Sequence, residues 1–275
     1  MRVEAKNLHP GLQKYISHIA YNNFLPDDCK YVRIIPDGMT ELVINVGKPY
    51  KRSAIGSKKL VSVSGSHYIG VKSSYCFMNP NLEMNKLSIR FRPGAITFFT
   101  KIRAHDFADG YVDAREIFGK DVKKLEREIE NFKDEKELLR KIELFLLENL
   151  TLHTHAMETL ELIRSIYMNP VKIKIENIKG DFSNYKLLER RFLKYLGLLP
   201  KQFMNIVKFN YSSKIKLTNS QLPLTKVAYL ANYADQSHFI RHFKQFSGWT
   251  PKEYDPDFPL MISNQRVINN QFALI

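Results

Sequence analysis

A short pattern occurs twice in the last third of the chain. Gly197-Leu198-Leu199-Pro200-Lys201-Gln202-Phe203 is echoed by Gly248-Trp249-Thr250-Pro251-Lys252-Glu253-Tyr254. A Gly-x-x-Pro-Lys-x-aromatic segment that closes two successive helical runs marks a duplicated supersecondary unit. The fold must therefore hold two copies of one helical element.

Each copy reads as a short helix, a turn and a second helix. In the first, a helix around Lys174 to Lys179 meets the Gly180-Asp181 turn, and Asn184 or Ser183 caps a second helix from Tyr185 to Leu196, ended at Gly197. In the other, Leu224 to Ala231 is the short helix and Asn232 occupies a turn that wants positive φ. Asp235 then caps the helix from Gln236 to Phe246, closed by Gly248. Leu188 and Phe192 match Phe239 and Phe243, four apart and so core-facing. The positions between them point outward: Lys186, Glu189 and Arg190 in one copy, Gln236, Ser237, His238 and Arg241 in the other. Polar side chains near the start of such a helix reach base edges when it enters a major groove. An ordinary solvated face is the plain alternative for either helix taken singly. The matched Arg190 and Arg241 favour DNA. Between the copies, Pro200 to Leu217 reads as a helix about 25 Å long, able to hold two recognition helices about one DNA turn apart.

Charge follows the repeat. The 275 residues carry a formal net charge of +14. Residues 1 to 170 hold 26 Lys+Arg against 21 Asp+Glu, whereas residues 171 to 256 hold 15 against 6. A localised basic excess is the electrostatic footprint of nucleic-acid binding, supplying salt-dependent affinity for phosphates.

The residues just quoted, with Leu188-Glu189-Arg190-Arg191-Phe192 and above all Ala234-Asp235-Gln236-Ser237-His238-Phe239-Ile240-Arg241-His242-Phe243, resemble the DNA-binding domain of the AraC/XylS family of bacterial transcription regulators. The second block is specific to that family, the first less so. Two positions depart from the pattern. Asn232 replaces the usual turn glycine, which Asn tolerates, and Glu189 stands where a neutral polar contact is common. Glu189 either accepts from a cytosine N4 or faces away from the phosphates. The resemblance implies double-stranded DNA as partner, with RNA polymerase as a further one.

The first hundred residues read as strands. Tyr31 to Ile35 and Thr40 to Val46 flank Pro36-Asp37-Gly38, which predicts a hairpin. Leu60 to Ser64, Tyr68 to Val71, Tyr75 to Met78 and Lys86 to Phe91 are further short candidates, and together they favour a small barrel or sandwich. His9-Pro10-Gly11-Leu12, Ile35-Pro36-Asp37-Gly38 with Glu41-Leu42, and Arg90-Phe91-Arg92-Pro93-Gly94 resemble the sensor-like domain that precedes this DNA-binding domain in many uncharacterised regulators. That resemblance implies a cupin-like β-barrel followed by helices. Such a barrel either encloses a small effector or is filled by its own side chains. Glu41 and Arg92 are the ligand candidates, each with a structural ion pair or turn contact as the plainer reading.

From Asp121 to Leu150, Leu125, Ile129, Phe132, Leu138, Leu139, Ile142, Phe145 and Leu146 recur at helical spacing, predicting two helices broken near Lys133-Asp134. The stripe packs on its own domain, or it also pairs with a second copy to make a homodimer through residues 121–150. Thr151 to Met168 is a helix stopped by Asn169-Pro170.

Several classes are excluded or unsupported. Apolar runs such as Leu144 to Leu147 are far short of the roughly 20 residues of a membrane span. Met1 to Pro10 has no apolar core of a secretory signal, so a cytoplasmic location is expected. Cys29 and Cys76 form no CxxC or disulfide framework. His9, His18, His67 and His105 are isolated from one another. His153-Thr154-His155 has metal-ligand spacing, but i and i+2 side chains diverge on a helix. No Ser-His-Asp pattern, phosphate loop or GxGxxG occurs, so no cofactor, no metal and no enzyme activity are expected. The sequence thus predicts an α+β chain: a β-rich sensor-like domain (1–120), a helical linker (121–170), a two-unit helix-turn-helix domain (171–256) and a tail (257–275).

Overall fold

The computed structural model describes residues 1–21, 32–79, 85–151, 154–172, 184–253, 260–262 and 265–266. The sequence-predicted helix at Lys174 to Lys179, the Gly180-Asp181 turn, Ser183, Cys29 and the side chains of His153 and His155 lie outside the described residues.

The front part is built from two six-stranded sheets. Its strands are β1 (Arg2–Glu4), β2 (Ile16–Tyr21), β3 (Val32–Ile35), β4 (Thr40–Asn45), β5 (Tyr50–Ser53), β6 (Leu60–Val63), β7 (His67–Ile69), β8 (Cys76–Asn79), β9 (Lys86–Phe91) and β10 (Tyr111–Asp113). Near the C-terminus, β11 (Leu260–Ile262) and β12 (Gln265–Arg266) return to it. The sheet orders are β1-β2-β9-β4-β7-β10 and β12-β11-β3-β8-β5-β6, and all pairings are antiparallel except β11 beside β3. The chain therefore runs through the helical domain and comes back to add strands to the front sheet.

The expected hairpin across Pro36-Asp37-Gly38 does not form. β3 pairs with β8 and β11 in one sheet, whereas β4 pairs with β7 and β9 in the other. The turn is a crossing between sheets, and tertiary contacts hold it there. Asp37 Oδ1 accepts from the Met39 amide at 3.0 Å, and its Oδ2 accepts from Arg90 at 2.6 Å.

β4 and β9 are buried on both faces, and the register separates their side chains by chemistry. Leu42 lies opposite Ile89 and Ile44 opposite Leu87, whereas Glu41 lies opposite Arg90, Val43 opposite Ser88 and Asn45 opposite Lys86. Since successive strand residues alternate faces, one face is apolar and the other is largely polar. The apolar face shares a core with α1 (Ala114–Phe118), α2 (Val122–Asn131) and α3 (Glu135–Glu148) through Ile117, Phe118, Leu125, Ile129, Leu138 and Ile142. The apolar stripe of the helical linker thus packs on its own chain. The polar face looks toward the second sheet, where the Tyr50 hydroxyl meets His67 Nε2 at 2.7 Å.

Helix α4 (Thr154–Met168) belongs to two cores at once. Ala156 and Leu160 pack with the front domain, and Ile163 and Ile166 with the helical one. The C-terminal domain follows as α5 (Tyr185–Tyr195), α6 (Pro200–Thr218), α7 (Leu224–Leu230) and α8 (Gln236–Ser247). Leu188, Phe192, Phe203, Phe239 and Phe243 form its core, and Ile35 and Val71 of the front domain are part of the same cluster. Burying each such side chain stabilises by about 1.5–3 kcal/mol, so the two domains are joined by packing as well as by the chain.

Candidate nucleic-acid interface

Helix α5 begins where Asn184 Oδ1 accepts from the amides of Lys186 (3.1 Å) and Leu187 (3.3 Å), satisfying two of its free donors. Helix α8 begins in the same way, with Asp235 Oδ1 accepting from the His238 amide at 2.7 Å. Before it, Asn232 has a φ of 56°, the left-handed turn that its sequence position calls for.

Leu188 and Phe192 on α5 and Phe239 and Phe243 on α8 are fully buried, which rotates the intervening positions outward. Lys186, Arg190, Ser237 and Arg241 are exposed, and Glu189, Gln236 and His238 are half-buried. Each helix thus presents its candidates on one face near its start. One is engaged within its own helix: His238 Nε2 lies 3.2 Å from His242 Nε2. Glu189 acts electrostatically on Tyr185, adding to burial in raising the tyrosine pKa. Burial, reinforced by His238, Lys208 and Arg241, lowers the His242 pKa to about 4, so at neutral pH this ring is uncharged.

The opposite ends of both helices are clamped by the front domain. Gly197, with φ of 88°, sits so close that an added Cβ would lie 2.9 Å from the Ala104 carbonyl oxygen and 3.1 Å from Val71. Gly248, with φ of 77°, would place a Cβ 2.6 Å from the Tyr75 ring. Arg33 Nη1 donates to the Ser247 carbonyl at 2.7 Å, and Ser74 Oγ donates to the Gln245 carbonyl at 2.6 Å. Linker helix α6, 19 residues and about 28 Å long, spans the two units. It opens on Pro200, with the Leu199 amide donating to Gln202 Oε1 at 2.9 Å, and Asn210 Nδ2 donates to the Pro36 carbonyl at 2.9 Å.

The two front-domain ligand candidates are not brought together. Glu41 is buried, accepting from Arg90 Nη1 at 3.0 Å and from Ser88 Oγ. Burial would raise its pKa, but Arg90, Lys86, Ser88 and Lys72 hold it well below the usual carboxylate range. Arg92 lies past the end of β9, where its Nε donates to the Gln13 carbonyl at 3.2 Å. Sequence reasoning missed Arg33, Asp37 and Arg90. For Arg90 the signal was present as alternation with Lys86 and Ser88; for Arg33 only a lone cation between Val32 and Ile34 was available. Among the described residues, no group of three His, Cys, Asp or Glu side chains is placed to hold a metal ion.

A helical domain with two capped, outward-facing helices, α5 and α8, behind a double-sheeted domain defines the class of protein. Residues 183–256 match a family described as a helix-turn-helix domain, and residues 9–113 match one described as a domain of unknown function, DUF6597. An uncharacterized HTH-type transcriptional regulator of Staphylococcus aureus strain MSSA476 (SAS0078) is 28% identical over 85 residues. Its counterpart in strain MRSA252 (SAR0107) matches equally. The matched stretch is 31% of this chain and only 11% of either relative. Among solved structures, ToxT from Vibrio cholerae O395 aligns with a TM-score of 0.40 and 14% identity, over 82% of this chain and 95% of that one. An unsaturated fatty acid bound form of wild-type ToxT from Vibrio cholerae strain SCE256 aligns with a TM-score of 0.41 and 12% identity, over 82% and 93%.

Proposed function

We propose that the chain is a sequence-specific, double-stranded DNA-binding regulator of transcription that acts by binding rather than by catalysis. The observation that carries this reading is the matched pair of capped helices, α5 and α8, exposed at their starts and clamped at their ends. The two helices enter successive major grooves, with α6 as spacer. Lys186, Arg190, Gln236, Ser237, His238 and Arg241 read base edges, and the surrounding Lys and Arg side chains supply phosphate affinity. Glu189 either accepts from a cytosine N4 or faces away from the phosphates. The work divides along the sequence boundaries: 1–120 sensing, 121–170 linking, 171–256 reading DNA and 257–275 a tail.

The partners of this reading are DNA, RNA polymerase and a small effector taken up by the front domain. A homodimer through residues 121–150 would use the outer faces of α2 and α3, where Leu144 is exposed, because their apolar stripe is already taken. No helix of the described residues is long and apolar enough to cross a membrane, which is compatible with a cytoplasmic regulator. The reading is tested by Arg241→Ala. Loss of one bidentate base contact should weaken specific binding by about 1–3 kcal/mol while leaving folding intact. Unchanged affinity for a selected site in a gel-shift titration removes Arg241 from the reading set.

A further inference from the structure

Helix α8 carries a pair of side chains whose mutual arrangement the reading of DNA does not use. His238-Phe239-Ile240-Arg241-His242 sets two histidines four residues apart. That spacing stacks side chains on one face of a helix and lets two imidazoles reach a single metal ion. The two rings turn the same nitrogen toward each other: His238 Nε2 lies 3.2 Å from His242 Nε2, with ring centroids 4.4 Å apart. Two nitrogens bound to one Zn2+ at about 2.0–2.1 Å in tetrahedral geometry sit about 3.3–3.4 Å from one another. The pair is thus within about 0.2 Å of the spacing of a chelate.

The two rings are also held in place. Phe239 and Phe243 are buried and fix the rotation of α8, and the Asp235 cap fixes its start. The Tyr233 ring meets both imidazoles edge to face, at 5.3 and 5.6 Å, and Phe246 backs His242 at 5.6 Å. Ligands whose orientation is already set by packing lose little freedom when they take an ion.

We propose that His238 and His242 bind a divalent transition-metal ion, of which Zn2+ is the type, through their Nε2 atoms. Imidazole suits Zn2+, Ni2+ and Cu2+, whereas Mg2+ and Ca2+ take oxygen ligands. Among the described residues no third His, Cys, Asp or Glu joins the pair, so water completes the coordination. Lys208 and Arg241 add positive charge near His242. A two-histidine site beside two cations holds its metal reversibly, unlike the four-ligand zinc sites that are parts of a fold.

A reversible ion at this place acts on the recognition helix itself, and this half of the proposal rests on the DNA-binding reading; the metal site does not. His238 belongs to the proposed reading set, and its Nε2 cannot both ligate a metal and meet a base edge. Metal uptake therefore weakens specific binding without any signal from the front domain.

The test titrates ZnCl2 into the untagged full chain by calorimetry, with MgCl2 as control and His238→Ala and His242→Ala as variants. The wild-type chain should take up one Zn2+ that each variant binds at least about tenfold more weakly, since loss of a supporting partner alone costs that much at a metal site. Circular dichroism checks that the variants fold; His242→Gln replaces His242→Ala if the smaller side chain unfolds the chain. Zinc uptake at wild-type affinity by either folded variant, no zinc uptake by the wild type, or equal uptake of Mg2+ overturns the site. In a gel shift on a DNA site selected in zinc-free buffer, Zn2+ should lower wild-type affinity by about five- to 150-fold, as for one lost base contact. It should leave the affinity of His242→Ala at its zinc-free value. Unchanged or increased wild-type affinity overturns the effect on DNA and leaves the metal site standing. Because the calorimetry contains no DNA, failure of the DNA-binding reading registers separately.

Discussion

The guanidinium of Arg33 lies 3.2 Å from the ring centroid of Trp249, stacked on the residue that follows the closing glycine of the second recognition helix. Tyr75 and Phe77 flank the same cation at 5.1 and 5.0 Å. A front-domain cation thus holds the end of α8 through ring and backbone together, and the position of a recognition helix depends on a strand of the other domain.

Arg33→Ala should therefore loosen that end. The cation-π contact and the charged hydrogen bond to Ser247 together are worth about 2–4 kcal/mol. Trp249 is the single tryptophan of the chain, so its fluorescence reports on the surroundings of this contact. The emission should shift to the red in the variant, and the midpoint of urea unfolding should fall. An unchanged spectrum would show that Arg33 does not hold Trp249 in solution.

The two glycines of the duplicated motif should prove intolerant for a reason beyond their turn geometry. Both have positive φ, and both approach the front domain so closely that a Cβ has no room: Gly197 against backbone, Gly248 against Tyr75 and Arg33. Gly197→Ala and Gly248→Ala should each destabilise by about 1–3 kcal/mol. Gly197→Ala should be the worse, because a carbonyl cannot swing aside as a ring can. Denaturant titration of both variants checks the order.

The repeat and the caps were legible because they are local. Asn184, Asp235, Asn232 and Gly248 act within a few residues of themselves, so their roles follow from spacing. The partner of a strand does not. Pro36-Asp37-Gly38 has the composition of a hairpin turn, yet Arg90, 53 residues away, takes its aspartate and the strands separate into different sheets. Arg90 and Arg92 share the same alternation, and only the end of β9 between them decides that one is buried in an ion cluster and the other meets a loop carbonyl. Strands β1, β10, β11 and β12 escaped notice because two or three residues are too few to show a pattern, and β2 and β5 because Ser17, His18, Lys51 and Arg52 interrupt their apolar residues.

Stability should fall early on acidification. His18, His67 and His242 are depressed, chiefly by burial, to about 3, 4 and 4. The unfolded chain takes up these protons near pH 6.5, whereas the folded chain refuses them. The stability they leave intact above pH 6.5 is therefore lost progressively as pH falls from 6.5 through 4, with each tenfold difference in proton affinity worth about 1.4 kcal/mol. Glu41, held below the carboxylate range, adds its own loss only below about pH 4.3. Urea midpoints measured between pH 7 and 5 should decline, and His67→Gln should flatten the slope. A midpoint constant over that range would contradict the buried neutral histidines.

The central claim, that α5 and α8 together read DNA sequence, is tested most directly by selecting bound sequences from random double-stranded DNA with the full chain. The account predicts an enriched site with two conserved blocks about one helical turn apart, 10–10.5 base pairs centre to centre. Arg190→Ala should relax one block and Arg241→Ala the other. Failure to enrich any sequence, or a single block untouched by both substitutions, would contradict it.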